Sequence, residues 1–319
     1  MKKKNLRILF VLLVSLLAIL GFGYYIYINI DKYLELLRIS TQGVLFIFLI
    51  ALCFPVLNGI QNTLTYRGLG INISIKEGVI ITAASTLVNQ LPIPGGIVSK
   101  GIYLNRRFGL SYTLFASSII ALFLCFVTVS GIIGLLVLLF WYMTGAKTIP
   151  TSLLVGYSLM ALCFLFIFLP LDRLWLPERI RIRMKQASEG WKMLNKTPAL
   201  LFRIVSLQAF LMILLAGRYW LAFQMLSQDV TIGQVLLFST ASMLTQLVSI
   251  APGGLGVREA IVGGVAGVLG FDISVGILAA GLDRIISTVV VFGVGWVSIA
   301  ILGEKFVTAQ ASNEMKGGQ

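Results

Sequence analysis

An all-α, polytopic integral membrane protein is the fold class this sequence predicts, and three observations predict it. The chain is 58% hydrophobic and only 12% charged, about half the charged fraction of a soluble domain. Its mean hydropathy is +0.97, and several apolar runs exceed the ~20 residues that cross a bilayer as a helix. A Pro-Gly-Gly break falls twice inside such runs, at Pro94-Gly95-Gly96 and at Pro252-Gly253-Gly254, 158 positions apart in a chain of 319. Broken backbone at membrane depth persists only where protein or a wet cavity surrounds it. Paired breaks in corresponding positions of two halves point to a transporter's binding site.

The elements follow in order. Lys2, Lys3, Lys4 and Arg7 precede an apolar run to about residue 30. That run is too long for a signal-peptide core, so 7–29 reads as an uncleaved first spanning helix. The second span is 42–65, with Pro55 inside it as a kink. A polar loop leads to a short apolar piece from Gly78 to Leu91, then the first break, then a second short piece to Arg107. Two half-length pieces around a break read as a re-entrant hairpin. Spans at 111–141 and 150–170 follow, then a basic segment at 171–197 flanked by Trp175 and Trp191, as interfacial aromatics flank membrane elements. A span at 198–222, a second broken element from Ile232 to Gly270 and a last span at 273–302 complete the chain.

This reading gives about six full spanning helices and two re-entrant hairpins in one transmembrane domain covering 1–319. Its pseudo-repeat halves are about 42–141 and 198–302. With the N-terminus inside, the basic clusters at 2–7, 100–107 and 171–197 all fall on the cytoplasmic side, and only Lys32, Arg38 and Lys147 remain opposite. That asymmetry is the one cytoplasmic loops show. It also orients the two halves oppositely, as an inverted-topology repeat. Both termini are then cytoplasmic, in a prokaryotic-type cytoplasmic membrane. The alternative is that one or both broken elements simply span.

Composition excludes several function classes. The net charge of +13 belongs to cytoplasmic loops rather than to nucleic acid, because the aromatic interleaving of single-strand binders is missing. The chain has no histidine, which removes His-based triads, acid–base catalysis and metal sites. Cys53, Cys125 and Cys163 are widely spaced within apolar runs and read as small core residues. No P-loop or paired-Asp metal motif is present, and no cofactor is expected.

Charges inside membrane segments are functional candidates, because each is costly unless paired or hydrated. Lys100, Arg218, Arg258 and Arg284 face two acids, Glu259 and Asp283. The surplus is positive and suits an anionic group such as phosphate. Arg258 directly follows a Gly-rich break, where freed backbone N–H groups also favour anions. Lys100 occupies the matching place in the first half, either in the cavity or in a cytoplasmic loop. Asp283 and Arg284 are neighbours about 100° apart on a helix and need other partners: Glu259 for Arg284, and Arg258 or Arg218 for Asp283. Arg218, close to its helix end, reads as a snorkelling residue. Asn89, Gln90, Thr245, Gln246 and Ser249 precede the breaks and either satisfy freed backbone groups or touch a polar substrate. The glycines at 95, 96, 253, 254 and 256 read as turn devices.

Pro252-Gly253-Gly254-Leu255-Gly256-Val257-Arg258-Glu259-Ala260 resembles the hallmark of the flippase-like transmembrane region of lysylphosphatidylglycerol synthases. Asn89-Gln90-Leu91-Pro92-Ile93-Pro94-Gly95-Gly96, with Lys100 and Tyr103-Leu104, is similar to its first-half counterpart. The resemblance implies a protein that moves lipids between leaflets; family members handle aminoacylated phosphatidylglycerol, hopanoid-type lipids and lipid-linked sugars. Two departures stand out. The family's first motif usually carries Gly-Glu and then Arg, where this chain has Gly96-Ile97 and Lys100; and 117–134, often charged in the family, is uncharged here. No aminoacyl-transferase segment follows the last helix within these residues, so the chain is expected not to be an enzyme. The expected function is a lipid translocase acting on a phosphate-bearing head-group. A small-anion transporter and a non-transporting partner of a lipid- or glycan-synthesising enzyme are the alternatives. Expected partners are anionic membrane lipids, with a homo-oligomer or a lipid-synthesis enzyme as further options.

Overall fold

A computed structural model describes residues 40–90, 95–145, 149–163, 196–246 and 256–317, with single helical positions at 178, 182 and 192 and side chains as far as Leu302. The described residues are helical, without a strand. The expected first span at 7–29 and nearly all of the basic segment lie outside them, as do Pro94, Pro252, Gly253 and Gly254.

Nine α-helices are described: α1 Thr41–Gly68, α2 Ile75–Val88, α3 Gly95–Phe108, α4 Tyr112–Met143, α5 Thr151–Leu162, α6 Pro198–Met225, α7 Ile232–Ala241, α8 Val257–Val268 and α9 Ile273–Gly317. A short 3₁₀ turn, Ser242–Gln246, extends α7. The order long–short–short–long occurs twice, as α1–α4 and as α6–α9, with α5 between. Four helices are long and apolar enough to cross a membrane: α1, α4, α6 and the Ile273–Leu302 part of α9. The expected span at 150–170 appears as α5, described only to Cys163.

Local chemistry sets the starts. Ser74 accepts from the Glu77 amide at the head of α2, Ser111 from Leu114 at α4, and Thr231 with Gln234 closes a capping box at α7. Each of these satisfies amides that have no partner within the helix. Pro55 sits within α1 without ending it. The short helices α2 and α3 have 14 residues each, about 21 Å long at 1.5 Å per residue, below the ~30 Å of a hydrocarbon core.

Helices α2 and α3 form an antiparallel hairpin. At its closed end a Cβ on Gly96 would overlap the Ser85 carbonyl and the Asn89 amide, so only glycine lets the helices meet there. At its open end Glu77, near the start of α2, accepts from Tyr103 Oη at 2.5 Å and pairs with Arg107 Nε at 2.8 Å. In the second half Gly256 carries φ +81° just before α8, a left-handed conformation natural to glycine.

The core lies in three clusters. Ile47, Phe223, Phe238 and Val262 belong to one that joins α1 to the second half, with the Phe223 and Phe238 rings stacked 4.7 Å apart. Tyr66, Ile81, Leu104 and Phe115 consolidate the first half. Val127, Tyr157, Met212 and Leu237 tie α4 and α5 to α6 and α7, where Tyr157 Oη donates to the Leu237 carbonyl at 2.6 Å. Large apolar side chains stay exposed on the long helices, among them Phe46, Leu136, Phe140, Val289 and Trp296. Water would penalise such a surface and lipid does not. The protein is an integral membrane protein.

Candidate functional site

Two consecutive residues of α8 engage two consecutive residues of α9. Arg258 Nη2 donates to Asp283 Oδ2 at 2.5 Å, and Arg284 Nη1 donates to Glu259 at 2.9 and 3.1 Å. Neighbours on a helix diverge by about 100°, so each pair occupies its own side of the α8–α9 seam. Glu259 and Asp283 are fully buried, and charges so buried persist only when paired.

Asp283 has a second cation. Arg218 Nη2 lies 2.6 Å from its Oδ1, and the Arg218 guanidinium stacks 4.8 Å from the Phe54 ring centroid. Arg218 is 3% exposed, which overturns the expectation that it snorkels. Its place near the end of α6 suggested an escape to the interface; α9 instead brings Asp283 to it, and the Phe54 ring of α1 packs against its guanidinium. One carboxylate from α9 therefore binds two guanidinium groups, from α6 and α8.

Tyr219 fixes the orientation of Arg258. Its hydroxyl accepts from Arg258 Nε at 2.8 Å and lies 2.8 Å from Ser242 Oγ. Ser242 gives its own proton to the Phe238 carbonyl, so the tyrosine proton goes to Ser242 and its lone pair is left for Arg258. The chain Ser242–Tyr219–Arg258–Asp283–Arg218 thus crosses four elements.

Arg218, Ser242 and Arg258 of this chain border a chamber of about 430 Å³ between the two halves. Arg218 and Arg258 are its charged lining, and Asn58, Thr86, Gln90, Gln208 and Thr245 supply polar groups. Phe54, Leu211, Leu215, Val290 and Val294 form an apolar remainder. Two cations against one carboxylate leave a single positive charge. Arg218 Nε and Thr245 Oγ1 are buried polar atoms without a hydrogen-bond partner among the described residues, in a setting where such atoms are normally paired.

The sequence-derived candidates separate into groups. Arg258 borders the chamber, with Asp283 and the Glu259–Arg284 pair directly behind it. Lys100 does not share that chamber; it lines a second cavity with α2 and α9, and its ammonium lies 3.4 Å from Asn62 Oδ1. Asn89 packs at the closed end of the first hairpin beside Gly96, while the adjacent Gln90 and, in the second half, Thr245 reach the chamber. The side chain of Gln246 lies outside the described residues. Sequence reasoning missed Tyr219 and Phe54 as partners of the arginines. A tyrosine next to a membrane arginine was the available signal.

The family model described as lysylphosphatidylglycerol synthase TM region matches residues 7–295. The chain belongs to that family. No curated protein and no solved structure matches it. For this member of the lysylphosphatidylglycerol synthase transmembrane region, the matched stretch takes in the whole Arg218–Arg258–Asp283 arrangement.

Proposed function

We propose that this protein is a lipid translocase, carrying the phosphate-bearing head-group of a membrane lipid between leaflets while the acyl chains stay in the bilayer. The observation that carries the reading is the chamber between the halves, with two arginines on one aspartate. Its surplus of one positive charge matches a phosphodiester, and a guanidinium fork grips phosphate at two points. The mixed lining favours a lipid over a small hydrated anion, which would lose its water against Phe54, Leu215 and Val290 without replacement.

In this reading both short-helix pairs are re-entrant and enter from opposite faces. The recurrent long–short–short–long order supports an inverted repeat, and the lengths of α2 and α3 support re-entrance. The basic loops orient the termini to the cytoplasm of a prokaryotic-type cytoplasmic membrane. The protein moves its substrate without changing it covalently.

The test is movement of a head-group-labelled phosphatidylglycerol across the membrane of proteoliposomes, read by quenching of the outer-leaflet label. The wild type is expected to accelerate it and Arg258→Ala to slow it. Unchanged rates in Arg258→Ala, or uptake of labelled soluble phosphate in place of lipid movement, overturn the proposal.

A further inference from the structure

A second cavity, of about 550 Å³, lies between α2, α3 and the Ile299–Leu302 turn of α9, within the ~300–1,000 Å³ typical of ligand sites. Its wall is apolar, with Ile81 and Val88 from α2, Ile102 from α3, and Ile299 and Leu302 from α9. Its lining also carries three cations, Lys100, Arg106 and Arg107 on α3. Of these, Arg107 is committed to Glu77. Lys100 and Arg106 have no carboxylate partner among the described residues; Lys100 has only the Asn62 amide oxygen. An apolar slot lined by cations that lack a carboxylate is complementary to one kind of molecule, an amphiphile with a chain and an anionic head.

The slot adjoins the chamber without opening into it. Thr86 and Gln90 border the chamber, whereas Ile81, Ala84, Ser85 and Val88 border the slot. At about 100° per residue these sets occupy opposite faces of α2. On α9 the chamber lining ends at Gly295 and the slot lining begins one turn later at Ile299. The seam between them is Leu87 against Gly295, where an added Cβ would come 2.5 Å from Leu87 Cβ.

We infer that this slot is a docking site for one anionic glycerophospholipid, with an acyl chain along Ile81, Val88 and Ile299 and the phosphate on Lys100 and Arg106. Docking itself stands on the slot's shape and charge. Only its role as the waiting place beside the chamber rests on the translocase reading.

The full chain is reconstituted in phosphatidylcholine vesicles containing a phosphatidylglycerol with a diazirine on one acyl chain, and cross-linked residues are mapped by mass spectrometry. Labelling is expected on Ile81, Val88, Ile299 or Leu302. It should fall about tenfold or more in Lys100→Gln/Arg106→Gln, the loss of charge-assisted bonds to one head-group, and recover in Lys100→Arg/Arg106→Lys. Ile299→Trp, which fills the acyl wall and leaves the cations in place, should lower it as well. Equal labelling by the same diazirine chain on phosphatidylcholine overturns the proposal. So does labelling confined to other surfaces, or equally strong competition by inorganic phosphate. A wild type that is labelled in the slot yet moves no lipid removes the translocase reading and leaves the docking site; a wild type that moves lipid without slot labelling does the reverse.

Discussion

Arg218 and Arg258 hold the two oxygens of one carboxylate, that of Asp283, at 2.6 and 2.5 Å. The two guanidinium groups come from different helices, so Asp283 is the pin that lets like charges sit side by side inside the bundle. Without it no carboxylate would bridge them to offset their repulsion and desolvation.

Asp283→Asn is accordingly expected to be the most damaging single change in this network. It strands two buried arginines, at a cost of about 3–5 kcal/mol. The thermal midpoint of the detergent-solubilised protein should drop clearly below that of Arg258→Gln, which removes one cation and leaves Arg218 on Asp283. Equal midpoints would show that Asp283 is not the shared counter-charge.

Tyr219→Phe keeps the ring in its fully buried place and removes one hydrogen bond to Arg258 and one to Ser242. Loss of a bond to a charged group corresponds to about 1.5–3 kcal/mol. Lipid movement should slow through a mis-oriented Arg258, measured in proteoliposomes, with the far-ultraviolet spectrum unchanged. Wild-type rates in this variant would mean that Arg258 needs no such brace.

The Glu259–Arg284 pair is testable by a double-mutant cycle. Glu259→Gln and Arg284→Gln should each lower stability, because each removes one member of a largely buried ion pair. The double variant should lose less than the sum, with a coupling of about 0.5–3 kcal/mol in a thermal or denaturant series. Additive losses would count against a direct pair.

Gly96→Ala should open the closed end of the first hairpin. The new methyl would meet the Ser85 carbonyl and the Asn89 amide, which are main chain and cap with little room to move. Overpacking of this kind costs about 1–3 kcal/mol. Hydrogen exchange in α2 and α3 should rise, with α8 unaffected. Gly256→Ala should act on α8 instead, through its φ of +81°.

Glu77→Gln weakens the other end of the same hairpin. It removes the charge that Tyr103 and Arg107 share. Faster hydrogen exchange is expected at the end of α3, around Tyr103 to Phe108, with the Gly96 end retained. Protection unchanged at both ends would show that Glu77 does not close the hairpin.

Much of the architecture was legible because its causes are local. Apolar runs of sufficient length at 41–68, 112–143 and 198–225 became helices with boundaries within three residues of expectation, since hydropathy and caps act along the chain. The bifurcation of Asp283 and Arg284 toward separate partners was legible too, because helix geometry alone forbids their pairing. The place of Arg218 was not legible. Distance from a helix end is a one-dimensional quantity, whereas burial depends on which other helices arrive.

The sequence by itself determined that this is a helical membrane protein, that its long and short elements recur in two halves, and that its interior cations outnumber its acids. Only the tertiary structure decided that Arg218 and Arg258 share Asp283 instead of one of them taking it, and that Lys100 lines a cavity apart from Arg258. Hydrophobicity and helix geometry are properties of a segment and can be read along it. The choice of a counter-charge is a matter of a few ångströms between helices far apart in the chain, and packing sets those distances.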